Sequence, residues 1–238
     1  MSAPEQSDVR NRLLSIMSAD DFAKLAPHLQ RTKLPKGRVI IEPDQEIEEM
    51  FFFDSGLGSI IAISPEGQQI EAGLFGWDGV TPIEPVLGAN RSINRVIVQI
   101  ADDSWRIGRE TLVAAMNESA TLRLLLTRYA LTLLNQTAHT ALSNAVQPVD
   151  ERLARWLLMC DDRSGASELS LTHDFLSIML AVRRPSVTTS LHVLEGNRFI
   201  RLERGCIIIR DRAGLEQFAH EGYGKPEAEY RRLIGPMY

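Results

Sequence analysis

Cysteine is scarce here: Cys160 and Cys206 are the only two in 238 residues. They are too far apart for a C-x-x-C pair and too few to staple a small secreted domain, which excludes the disulfide scaffolds. Two readings are open for them, buried inert thiols, the commoner fate of a free cysteine, or redox sensors. The five histidines, His28, His139, His173, His192 and His220, nowhere pair at the helical spacing of metal ligands, and none falls between Lys36 and Ile107. We therefore expect neither a metal site nor a cupin-type catalytic cluster. Two thiols cannot supply the four thiolates of an iron–sulfur cluster, and no motif supports haem held by a histidine and a cysteine. A P-loop, a nucleophile elbow and a G-x-G-x-x-G are all missing, so no enzyme is expected. Nor does any window approach the roughly 20 apolar residues of a membrane span. The start, MSAPEQSDVRNRLL, is polar rather than a basic stretch followed by an apolar one, which reads as cytoplasmic with no membrane partner.

What is present is ordinary for a globular chain: 44% hydrophobic and 24% charged residues. The length exceeds the usual single-domain range of about 100 to 150 residues, so two modest domains with separate cores are expected. A net charge of -5 argues at first against nucleic acid, but it is unevenly spread. Residues 1–147 carry 13 basic and 18 acidic groups, whereas 148–238 carry 13 of each. Within the second part, Arg183, Arg184, Arg198, Arg201, Arg204, Arg210 and Arg212 face only Glu195, Glu203 and Asp211 between positions 183 and 212. Such local basicity suits a DNA-reading face.

Residues 11–30 space apolar side chains at three and four, and Ser18 followed by two aspartates makes a helix start, giving two short helices. From Lys36 to Ile107 short apolar runs (Val39 to Ile41, Phe51 to Phe53, Ile60 to Ile63, Val96 to Ile100) alternate with glycines. That texture reads as an antiparallel barrel or jelly roll. Residues 109–146 contain no Gly or Pro and predict one long helix ending before Pro148. One seam of it runs Leu124, Thr127, Leu131, Leu134, Ala138, Ala141, Ala145, while Leu122, Leu126, Tyr129 and Leu133 share a neighbouring face. Either both faces pack within one subunit, or the first joins a coiled-coil homodimer and the second covers its own barrel. The second reading leaves no apolar seam exposed.

Pro148 opens a helix over PVDERLARWLLMCDDR that Arg163-Ser164-Gly165 ends. Thr172 can cap HDFLSIMLA, and Pro185 starts PSVTTSLHVLEGNRF after a short break. FIRLERGCIIIRD then reads as a hairpin around Arg204-Gly205. The tail HEGYGKPEAEYRRLIGPMY has helical character and no derivable role. The overall class is α+β, with a barrel over 1–108, a dimerisation helix over 109–147 and a winged helix-turn-helix with tail over 148–238.

Over SELSLTHDFLSIMLAVRRPSVTTSLHVLEGNRFIRLERGCIIIRDRAGL the chain resembles the winged helix-turn-helix of the bacterial Crp/Fnr family. KGRVIIEPDQEIEEMFFFDSGLGSI resembles that family's cyclic-nucleotide-binding-type barrel, residues 109–146 its dimer helix, and PVDERLARWLLM the helix leading into its DNA-binding domain. The resemblance implies a homodimeric transcription regulator on a palindromic site of double-stranded DNA, with RNA polymerase and an effector as further partners. By position Arg184 matches the arginine that some members aim at guanine, where a guanidinium bonds O6 and N7 together. Arg183, Ser186, Thr188 and Thr189 are its neighbours, and Thr172, His173 and His192 match phosphate-contacting positions. The bland alternatives are solvated turn residues for the arginines and capping or surface roles for the others. Pro185 replaces a base-reading glutamate and Thr189 a second arginine, so neither the Crp-type nor the Fnr-type half-site carries over.

The same resemblance places the effector pocket at Gly76, Trp77, Gly79, Arg91 and Ser92. Arg91-Ser92 resembles the pair that holds a cyclic phosphate, but Gly76-Trp77 stands where Gly-Glu is expected for the ribose. The segment from Gly79 to Arg91 is also longer than in cyclic-AMP-binding members. We therefore expect a barrel that does not bind cyclic AMP, with Trp77 filling the pocket. A cyclic-nucleotide-responsive activator and an adaptor that has lost DNA binding are the alternatives.

Overall fold

Asn11 and Ser18 open the first two helices in the same way, each turning a side-chain oxygen onto free backbone N–H groups of the first turn. In the computed structural model, which describes residues 3–164 and 168–237, these are α1 (Arg12–Ile16) and α2 (Ala19–Leu25). Asn11 is fully buried, and its Nδ2 donates to the carbonyls of Phe53 (2.8 Å) and Gly79 (2.7 Å), which ties the entry helices to the barrel.

Eight strands follow: β1 (Gln30–Leu34), β2 (Val39–Ile41), β3 (Glu49–Phe53), β4 (Leu57–Ile63), β5 (Gln69–Phe75), β6 (Val80–Thr81), β7 (Arg95–Ile100) and β8 (Asp102–Gly108). They form two antiparallel four-stranded sheets, β1-β8-β3-β6 and β2-β7-β4-β5. The apolar runs named from the sequence supply β2, β3, β4 and β7, whereas β1 lies upstream of the expected start. Its five residues pair with β8 from Gln30 opposite Arg106 to Leu34 opposite Asp102. A Gln-Arg-Thr-Lys-Leu stretch has too few apolar residues to show a period, so pairing decides its state.

The long helix expected over 109–146 is two helices, α3 (Arg109–Glu118) and α4 (Ala120–Val146). Ser119 between them is extended (φ -126°, ψ 114°), and its hydroxyl accepts the Leu122 N–H and donates to Asp21. A buried serine that caps the second helix and satisfies an aspartate of α2 breaks the helix without Gly or Pro. The two faces of α4 divide as the spacing predicts: Leu122, Leu126, Tyr129 and Leu133 are buried, and all seven seam positions from Leu124 to Ala145 are exposed.

Beyond Pro148 come α5 (Val149–Ser164), β9 (Glu168–Leu169), α6 (His173–Met179), α7 (Arg184–Gly196), β10 (Ile200–Glu203), β11 (Cys206–Ile209), α8 (Arg212–Phe218) and α9 (Lys225–Leu233). Gly165, assigned above to the end of α5, lies outside the described residues. The hairpin β10–β11 turns at Arg204-Gly205, as expected, and β9 adds a third strand on β11. Two apolar cores form, but neither is confined to one domain. Leu57, Ile61 and Leu74 of the barrel belong to the core of the C-terminal domain, while Tyr230 and Met237 of the tail return to the barrel's core.

Candidate nucleic-acid interface

The segment from α6 to α7 is a helix-turn-helix whose inner face is apolar. Leu176 and Met179 of α6 and Val187, Leu191 and Leu194 of α7 are buried together. Thr172 caps α6 by accepting the Phe175 N–H (3.2 Å), and Pro185 sits in the first turn of α7, where a missing N–H costs nothing. Ala181 makes the turn in the left-handed region (φ 49°), with the Ala181 and Val182 N–H groups returning to Ile178 and Ser177.

The opposite face of α7 carries the candidate DNA contacts. Arg183, Arg184, Ser186, Thr189 and His192 are all exposed. Among the described residues, the Arg184 side chain is held only by a surface ion pair with Asp174 (3.3 Å), with 63% of it open. Such a pair is worth about 0 to 1 kcal/mol, so the guanidinium can exchange it for a base edge. Thr188 Oγ1 donates to the Arg184 carbonyl (3.2 Å) and Thr189 Oγ1 to that of Pro185 (3.1 Å). Nδ1 of His173 lies 3.0 Å from Thr188 Oγ1, within hydrogen-bond distance. Phosphate oxygens only accept, so both threonines must turn about χ1 to donate to them.

The candidate effector residues divide between two places. Gly76, Trp77 and Gly79 form the β5–β6 turn, packed on the C-terminal end of α5. The Trp77 N–H donates to the Arg163 carbonyl (3.2 Å) and its Nε1 to that of Asp162 (2.8 Å). A Cβ on Gly76 would collide with the Arg163 backbone, and one on Gly79 with the Tyr129 ring. Arg91 and Ser92 sit in the loop before β7, where the Arg91 backbone pairs with that of Glu46 in an isolated antiparallel bridge and the Ser92 carbonyl accepts the Asp44 N–H (2.7 Å). Between the β5–β6 turn and α4, the cavity lined by Asp78, Tyr129, Gln136, Arg163 and Tyr230 measures about 10 Å³. That is room for one water and not for a nucleotide.

This junction contains functional groups with no signature in the sequence. Asp78 and Arg163 form an ion pair at 3.0 Å, each side chain only 3% exposed. Burial works against the charge of Arg163, but Asp78, Asp162 and Glu227 outweigh it and hold its pKa above the usual value. Burial pushes the Asp78 carboxyl up, against the pull of Arg163. Glu71 of β5 accepts from Trp156 Nε1 of α5 (2.6 Å) and from Ser59; burial raises it to about 7 in spite of those donors and of Arg155 and Arg163. The tail closes the group, with the Tyr230 hydroxyl donating to the Asp78 carbonyl (2.7 Å). Gln136 of α4 seals the edge of β5 by bonding both the N–H and the carbonyl of Leu74 (2.7 and 2.9 Å). The hinge after α4 is braced as well, since Gln147 Nε2 donates to Glu151 (3.1 Å) and to the Ala219 carbonyl (3.0 Å). Cys160 is buried and its thiol pushed well up by that burial, whereas Cys206 is half-buried. Among the described residues no three His, Cys, Asp or Glu side chains converge on a metal position, and no helix is long and apolar enough to cross a membrane.

Comparison with known proteins agrees with this geometry. Residues 151–218 match the Crp-like helix-turn-helix domain. No curated protein matches the chain in sequence. Among solved structures, FixK2 from Bradyrhizobium japonicum is similar with a TM-score of 0.69 at 16% identity, over 80% of this chain and 96% of that one. The c-di-GMP-responsive global regulator CLP from Xanthomonas campestris is similar at 0.64 and 17%, over 81% and 99%. A CRP/FNR-family transcriptional regulator from Thermus thermophilus is similar at 0.60 and 20%, over 82% and 100%. The chain thus has the Crp/Fnr regulator fold and carries a Crp-like helix-turn-helix domain over residues 151–218.

Proposed function

We propose that this chain is a sequence-specific DNA-binding transcription regulator that acts in the cytoplasm as a homodimer on a palindromic site, without cyclic AMP as its effector. The observation that carries the reading is the open face of α7, where Arg184, Ser186, Thr189 and His192 stand opposite the buried Val187, Leu191 and Leu194. Small polar residues and an arginine at a helix N-terminus can enter the major groove and reach base edges. The homodimer is supported by the exposed seam of α4, where Leu124, Leu131 and Leu134 are 51, 43 and 64% exposed. Pairing two such seams buries them and presents two α7 helices about 34 Å apart. RNA polymerase is the further partner that such a role implies.

Independence of cyclic AMP is supported by the β5–β6 turn, whose Trp77 and Asp78 are committed to α5. The cyclic-nucleotide-responsive reading is tested by calorimetric titration with cyclic AMP, cyclic GMP and, because CLP responds to it, c-di-GMP. Micromolar binding of cyclic AMP overturns our reading of the switch. DNA binding is tested by selecting duplexes from a random pool. Arg184→Ala should weaken the selected site by about 1 to 3 kcal/mol and relax preference at one base pair. Equal loss on selected and random DNA would refute the base-reading role, and failure to enrich any sequence would favour an adaptor without DNA binding.

A further inference from the structure

We infer that the C-terminal tail is a built-in effector: by docking α9 on the barrel, it holds the helix-turn-helix domain in the pose that binds DNA. This rests on the DNA-binding reading above. The chain passes from α4 to α5 through the hinge around Gln147, and a hinge by itself leaves the domain beyond it free to swing. The tail supplies a second attachment. Beyond residue 218, where the matched helix-turn-helix domain ends, the chain turns back, packs α9 along α4 and enters the barrel's core. Tyr230 and Met237 are buried there, at 1 and 6% exposure, with Ile234 packed against the same core.

Hydrogen bonds, charge and shape all fasten this clasp. The Tyr230 hydroxyl donates to the Asp78 carbonyl of the β5–β6 turn (2.7 Å). Arg155 of α5 donates through Nε to the Gly222 carbonyl (2.9 Å) and through Nη2 to Thr140 of α4 (3.2 Å), so one guanidinium joins tail, α4 and α5. Glu227, 4% exposed, accepts the Gly224 N–H (2.9 Å) and brings a buried carboxylate to the charges of Arg155 and Arg163. A Cβ on Gly222 would collide with the Gln147 side chain, so the tail closes directly on the hinge. The clasped pose hides neither working surface. Arg184 keeps 63% of its side chain open, and Leu124, Leu131 and Leu134 of the α4 seam stay exposed. A contact that fixes the domain while leaving both surfaces free favours the binding-competent pose, which is what a bound effector does by population shift.

The test follows hydrogen exchange in the wild-type full chain, with and without a duplex that it selects from a random pool. Coupling is reciprocal: if docking of α9 favours DNA binding, DNA must favour docking, and the amides of α9 should exchange about tenfold more slowly in the complex. Faster exchange would make the tail an inhibitor and unchanged exchange would uncouple it, and either overturns the inference. Tyr230→Ala removes the tail's anchor. It should bind the selected duplex about tenfold more weakly with the same sequence preference and salt slope, because a smaller competent fraction scales the affinity without removing a phosphate contact. Affinity equal to wild type overturns the inference, as does a reduced salt slope, which would assign Lys225, Arg231 and Arg232 of α9 to phosphates instead. If Tyr230→Ala does not fold, the wild-type exchange decides alone. Failure of the wild type to select any duplex removes the underlying DNA-binding reading instead.

Discussion

Asp78→Asn should destabilise the fold by about 3 kcal/mol. The substitution is isosteric, and its Oδ1 can still accept the Gly76 N–H that Asp78 receives at 2.8 Å. What it removes is the charge facing Arg163, in a pair whose side chains are each 3% exposed. Breaking a buried pair by deleting one partner costs about 3 to 5 kcal/mol, because the remaining charge stays desolvated. The lower end applies here, since Arg163 keeps the Asp162 carboxylate at 4.0 Å and a bond from Nη1 to the Met159 carbonyl at 3.1 Å. Arg163→Met with Asp78→Asn removes both charges, so the double variant should be more stable than the sum of the single losses by about 1.5 kcal/mol or more. Urea unfolding at fixed protomer concentration measures all four proteins. The pair joins the β5–β6 turn to α5, so Trp77, whose Nε1 bonds the Asp162 carbonyl, should also report loosening through its fluorescence before global unfolding. An Asp78→Asn protein within about 1 kcal/mol of wild type, or strictly additive losses in the double variant, would refute the claim that this pair locks the two domains together.

Glu71 yields a pH dependence. Its folded-state carboxyl is raised to about 7 from 4.5, so the folded state holds the proton more tightly than the unfolded chain does. The resulting stability is present below pH 4.5 and lost as pH rises through 7, a change of about 3 kcal/mol that Glu71→Gln should abolish; parallel stability curves for the two proteins between pH 4.5 and 7.5 would contradict it. Leu131→Asp with Leu134→Asp removes four leucines from a paired seam at about 1 kcal/mol each, so dimerisation should weaken roughly a thousandfold. Sedimentation showing an unchanged dimer would place the interface elsewhere. Ala181, at φ 49°, pays for a left-handed conformation that glycine adopts freely. Ala181→Gly should therefore be neutral or stabilising by up to about 1 kcal/mol, and a drop of 1 kcal/mol in calorimetry would show the turn is not strained.

Elements whose signals are local were legible in the sequence. Repeated apolar spacing separated the two faces of α4, because a helix shows its period within a few turns whatever surrounds it. Thr172 and Pro185 marked the starts of α6 and α7, and Arg204-Gly205 the wing, because caps and turns are satisfied by atoms a few residues away. Whatever depends on distant partners emerged only in three dimensions. Ser119 breaks the helix because Asp21 lies beside it, and β1 exists because β8 offers it a partner. Trp77 bonds a carbonyl 85 residues away, a partner no local signal announces. The tail, without assignable role in one dimension, carries Tyr230 back to Asp78. Such contacts leave no period or motif, since a charge or hydroxyl reads the same in sequence whether it faces water or a buried partner, and only burial makes the difference large.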